Sequence, residues 1–174
     1  TFFVFLIAFD RGQVLVSALA IVTAGATTGF LLWNRSPAKI YMGDAGALFL
    51  GIIVSVLTIR LNPGIAPSYV SFAIPLSLLA VPILDTSVAV ISRLNRGISP
   101  FTGGRDHLSH RLIRKGLSRK QAALALWGFS AIFGTNALAI YLQPKSLGVI
   151  LMSFFLALWI SLFLWFIRIP SVDK

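Results

Sequence analysis

Five stretches of the chain are nearly free of charge and long enough to cross a bilayer, which takes about 20 mostly apolar residues each. They run roughly over 13–33, 44–61, 70–92, 121–142 and 147–167. The breaks between them hold turn residues: NRSPAK at 34–39, NPGIAPS at 62–68, RGISPFTGGRD at 96–106 and QPKS at 143–146. A shorter apolar run, TFFVFLIAF at 1–9, is too short to span. It lacks the basic n-region and the A-x-A-like cleavage site of a signal peptide and reads as the tail of a cut helix. The pattern predicts an all-α polytopic transmembrane bundle. It has about five full spans plus an N-terminal helix remnant, in one membrane domain over 1–174. No internal repeat or low-complexity tract interrupts it.

Composition strengthens this picture. The chain is 57% hydrophobic and 11% charged, with a mean hydropathy of +0.89. Soluble domains carry about 25% charged residues. A net charge of +10 invites a nucleic-acid reading. That reading fails because the basic residues sit between apolar spans, where membrane topology requires them. The absence of cysteine excludes disulfides and thiolate metal sites. Twelve basic residues fall in the 34–43 loop, the 93–120 segment and the C-terminus, against three (Arg11, Arg60, Lys145) on the alternate side. This places the first group in the cytoplasm.

Only five acids occur, Asp10, Asp44, Asp85, Asp106 and Asp173, with no glutamate. Asp44 opens a span. It suits a helix N-cap, and equally a Mg²⁺ that takes one or two carboxylates and fills its sphere with water and phosphate. Gly43, Ala47 and Gly51 form a small-residue stripe that allows close helix approach, and Gly46 is expected to keep space clear beside the carboxylate. Asp85 lies eight residues before Arg93, about 12 Å inside that end at 1.5 Å per residue. An intramembrane acid is a functional candidate. Its structural alternative is a bond to a neighbouring helix or to carbonyls freed by Pro82. In GGRDHLSHRLIRKGLSRKQAA, Asp106 is expected to cap a short amphipathic helix and Gly116 to end it. His107, His110, Arg111 and Arg114 then share one cationic face, suited to a nucleotide diphosphate or, in the plainer reading, to anionic headgroups. Ser118 and Gln121 have capping-box spacing.

Three blocks resemble the polyprenyl-phosphate N-acetylhexosamine-1-phosphate transferase family. PAKIYMGDAGALFLG is similar to the family's F-M-G-D-x-G-S segment. PILDTSVAVISRLNRGISPF is similar to the P-x-x-D-T segment of its GlcNAc-type branch. DHLSHRLIRKGLS is similar to its H-x-H-H loop, with Ser109 at the middle histidine. The blocks stand in family order over about 33 to 120. The family's paired-aspartate motif and its N-x-x-N-x-x-D region have no counterpart here. The resemblance therefore implies the C-terminal half of an enzyme. It also implies transfer of a sugar-1-phosphate, GlcNAc-1-phosphate in this branch, from a UDP-sugar to polyprenyl phosphate. UMP is released, at the cytoplasmic side of the cell membrane, in cell-wall or surface-polysaccharide synthesis. Asp44 would then be catalytic and hold Mg²⁺, or Mn²⁺ in its place. Arg105, Asp106, His107, His110, Arg111 and Asp85 would bind substrate. The implied partners are the two substrates, the bilayer and a second copy in a homodimer, with no nucleic acid. The rival class is a non-catalytic transporter or scaffold that binds anionic lipid through the basic loop.

Overall fold

The computed structural model of the chain describes residues 1–35, 37–101, 104–143 and 145–170. Asp173 and Lys174, and the turn residues Ser36 and Pro144, lie outside them. Among the described residues there are eight helices and no strand: α1 (Phe2–Asp10), α2 (Val14–Asn34), α3 (Gly43–Arg60), α4 (Ser68–Leu78), α5 (Ala80–Asn95), α6 (Leu108–Arg114), α7 (Arg119–Leu142) and α8 (Lys145–Ile167). The protein is the all-α polytopic bundle that its apolar pattern predicts. Helices α2, α3, α7 and α8 are each long and apolar enough to cross a membrane.

The predicted span over 70–92 is not one straight helix. It breaks at Leu79 into α4 and α5, which meet at 72°. The cause is local. In a continuous helix the ring of Pro82 would press on the carbonyl of residue 78, four positions back. With the break at Leu79, Pro82 falls in the first turn of α5, where its missing N–H costs nothing. Pro75 inside α4 removes a further donor.

Three apolar clusters hold the bundle. Val4 and Ile7 of α1, Ala20 of α2, Leu57 of α3, Ile74 of α4 and Ile140 of α7 form the first. Phe133 of α7 meets Phe155 of α8 edge to face beside Ala80 in the second. The third joins Leu84 and Val88 of α5, Leu108 and Leu112 of α6, Ala122 of α7, and Phe166 and Ile169 at the end of α8. It seats the loop helix on the spans. The outer faces stay apolar, with Leu48, Phe49, Ile52, Phe72 and Ile150 exposed, as surfaces bathed in lipid tails should be.

Candidate functional site

The loop between α5 and α7 is built around one buried carboxylate. Asp106 Oδ2 accepts from Arg93 Nε and Oδ1 accepts from an Arg96 terminal nitrogen, each at 2.8 Å. Arg93 and Arg96 are three apart at the end of α5, so they share a face. Arg93 also donates to the carbonyl of Pro100 at 2.7 Å. Burial pushes the Asp106 carboxyl up. The Arg93 hydrogen bond and the charges of Arg96, Arg93 and Arg111 outweigh it and hold the group below its ordinary value. A Cβ on Gly104 would lie 2.6 Å from Asp106 Oδ2, so the chain there needs glycine to let the carboxylate reach its arginines.

Asp106 is therefore not the cap of α6, as its sequence position suggests. The cap comes from Asp85, across from α5. Its Oδ1 accepts from the backbone N–H of Leu108 at 2.7 Å, and its Oδ2 lies 2.7 Å from His107 Nδ1. Asp85 thus meets the loop helix, which folds down onto α5, and makes the neighbouring-helix bond of its structural alternative. Gly116, at φ +97°, follows α6 as expected, and the Ser118–Gln121 capping box opens α7.

The cationic face is also redrawn. Arg111 points inward and is 1% exposed. Its Nε donates to the carbonyl of Asp106 at 2.9 Å, and one terminal nitrogen donates to the carbonyls of Phe166, at 3.0 Å, and Ile169. Helix C-terminal carbonyls lack intrahelical partners and carry partial negative charge, which suits a guanidinium. The other terminal nitrogen is buried without a partner among the described residues. Arg114 donates to the carbonyls of Pro170, at 3.0 Å, and Arg105, at 2.8 Å. What the loop offers to solvent is His107 and Arg105, with His110 half-buried. Burial, then the charges of Arg105, Arg114 and His107, hold His110 below its usual value, against the pull of Asp85.

Asp44 lies in the first turn of α3 and is exposed. It makes no cap bond, and among the described residues no hydrogen bond or ion pair engages its carboxylate. Among the described residues nothing lies within 4 Å of a Cβ built at Gly43 or Gly51, so none of their helices packs on that stripe. Gly43 has φ +68°, which turns the chain into α3. A Cβ at Gly46 would meet Met42 Cγ at 2.5 Å, so that position accommodates Met42 and not space beside the carboxylate. Among the described residues no three His, Cys, Asp or Glu gather to cage a metal. A single free carboxylate fits a Mg²⁺ that brings water and phosphate as its other ligands. The structure thus gathers Asp85, Arg105, Asp106, His107, His110 and Arg111 into one loop cluster, without a bond to Asp44 among the described residues.

The sequence places Arg93 and Arg96 only among the basic residues of the 93–120 segment; their i, i+3 spacing ahead of Asp106 is the signal that they could share one carboxylate.

Residues 1–62 match the model of glycosyl transferase family 4, a segment that includes Asp44. A probable undecaprenyl-phosphate N-acetylglucosaminyl 1-phosphate transferase of Bacillus subtilis (strain 168) is 36% identical over 93% of the chain and 41% of its own length. The chain belongs to glycosyl transferase family 4. Other relatives of the family are similar across the loop as well. A decaprenyl-phosphate N-acetylglucosaminephosphotransferase of Mycobacterium leprae (strain TN) is 30% identical over 78% of the chain and 37% of its own length. An undecaprenyl-phosphate alpha-N-acetylglucosaminyl 1-phosphate transferase of Salmonella typhi is 32% identical over 70% and 33%. The chain spans about two fifths of the length of the curated relatives it matches. No solved structure matches it.

Proposed function

We propose that the protein transfers GlcNAc-1-phosphate from UDP-GlcNAc to a polyprenyl phosphate, releasing UMP, at the cytoplasmic face of the cell membrane. The observation that carries this reading is the match over 93% of the chain to a relative named for GlcNAc-1-phosphate transfer onto undecaprenyl phosphate. A match of that extent takes in both Asp44 and the 93–120 loop.

The chemistry of the residues agrees. If α4 and α5 together make one crossing, the loop returns to the side of Asp44, and the basic residues put that side in the cytoplasm. A polyprenyl phosphate presents its head group at the interface, and a nucleotide sugar arrives from the cytosol. Arg105 is exposed there to meet the donor's diphosphate through charge-assisted bonds of about 1.5–3 kcal/mol each, and His107 is exposed on the same loop to meet the nucleotide sugar. Asp106, Arg93, Arg96 and Arg111 hold the loop that presents them. Asp44 would hold Mg²⁺, which supplies charge neutralisation at the phosphates when bound.

The test is direct. The full-length gene product is reconstituted with UDP-GlcNAc and undecaprenyl phosphate, with Mg²⁺ or with EDTA. UMP and a GlcNAc-bearing lipid should form with Mg²⁺ and not with EDTA. Binding to anionic vesicles without UMP release would favour the lipid-binding scaffold instead.

A further inference from the structure

Asp85 is the single acid on α5, and both its oxygens already have partners. Oδ2 lies 2.7 Å from His107 Nδ1, and Oδ1 accepts from the Leu108 N–H at 2.7 Å. A carboxylate only accepts, so the proton of that contact sits on His107 Nδ1. The ring's other nitrogen, Nε2, has no partner among the described residues. The side chain of His107 is 48% exposed. The same carboxylate that fixes the ring also fixes the first turn of the helix beneath it. The two bonds constrain His107 at its side chain and at the backbone of its neighbour.

We propose that Asp85 is a positioning residue and not a ligand of the donor. Its two oxygens hold His107 as the Nδ1–H tautomer and leave Nε2 as the one ring nitrogen offered to the nucleotide sugar, an acceptor for one of its hydroxyl or N–H groups. This rests on the transferase reading above. A carboxylate that fixes the far nitrogen of a working imidazole is a recurrent way to set which atom faces the ligand. Here the arrangement gives the loop a defined hydrogen-bonding atom, although the loop is joined to α5 by a turn-rich segment.

Two measurements on the full-length protein test it. The first is NMR of ring-labelled histidine. The neutral ring of His107 should be the Nδ1–H tautomer in the parent and should shift towards Nε2–H in Asp85→Asn. Asparagine can still accept from Leu108 N–H, so the cap survives this change. An Nε2–H ring in the parent overturns the proposal.

The second is a double-mutant cycle read as UDP-GlcNAc affinity. Asp85→Asn should weaken binding about 10-fold, the upper end for the loss of one neutral hydrogen bond. In a His107→Ala background it should cost less than about 2-fold, because residues acting through one another are not additive. Equal losses in both backgrounds would mean that Asp85 reaches the donor by another route, and the proposal fails. If His107→Ala binds donor like the parent, the donor-binding reading of this loop fails with it. The tautomer result still judges the hold of Asp85 on the ring.

Discussion

At the scale of single residues, the loop depends on Asp106 more than on any exposed side chain. Its carboxylate is 5% exposed and bonded to two arginines. Removing one partner of a buried ion pair costs about 3–5 kcal/mol, because the charge left behind stays buried. Asp106→Asn should fall near the low end, about 3 kcal/mol, because Arg96 is partly exposed. The pH dependence follows from the sign of the shift. The folded carboxyl titrates below its unfolded value, so the folded state binds fewer protons near that value. The stabilisation is complete above about pH 3.9, the ordinary aspartate value, and is lost as pH falls through the lower folded value. Thermal melts of the solubilised protein should therefore show a constant gap between parent and Asp106→Asn from neutral pH down to about 5. A gap that closes within that range would contradict the ion pair. None of this was legible at residue 106 itself. An aspartate before a helical run reads as a cap, and only the approach of α5 gives that task to Asp85 and frees Asp106 for the arginines. Asp44 was legible as an isolated acid, but the space beside Gly46 is taken by Met42, since spacing does not say which neighbour fills it.

At the scale of elements, α6 and the end of α8 stabilise one another through Arg111. The guanidinium satisfies carbonyls of Asp106, Phe166 and Ile169 together. Arg111→Met keeps the apolar contact and removes every donor. It should destabilise the loop by about 3 kcal/mol. Limited proteolysis should then cut within 96–120 and after 165 faster, with both sites opening together. Cutting in the loop alone would mean that the two elements are not coupled. The helices themselves were readable from hydropathy within a few residues, because lipid forces backbone groups to bond within each segment. The 72° break at Leu79 was not readable, although both prolines were visible. Proline marks where a helix is weakened; the packing of α4 on α7 and of α5 on α8 decides which way the two parts run.

At the scale of the whole molecule, the basic residues and the crossing count make one claim, that Asp44 and the loop share a side. Cysteines placed at the exposed positions Ser99 and Ser68 should label from opposite faces of sealed vesicles. Labelling from one face would make the bent α4–α5 pair re-entrant and would separate the loop from Asp44. The fold class and the order of the three blocks were present in the sequence. The reach between Asp44 and the loop was not, because it depends on how α3 sits against α2 and α4. The most direct test of the account is turnover by the full-length gene product, parent against Asp44→Asn, at saturating UDP-GlcNAc, undecaprenyl phosphate and Mg²⁺. Asparagine serves a helix start about as well as aspartate, so the change removes the charge and leaves the helix. The account predicts folded Asp44→Asn protein in the membrane with UMP release reduced at least about 100-fold, the size of effect expected when charge stabilisation at the reacting group is lost. Near-parental, Mg²⁺-dependent UMP release from Asp44→Asn would contradict it.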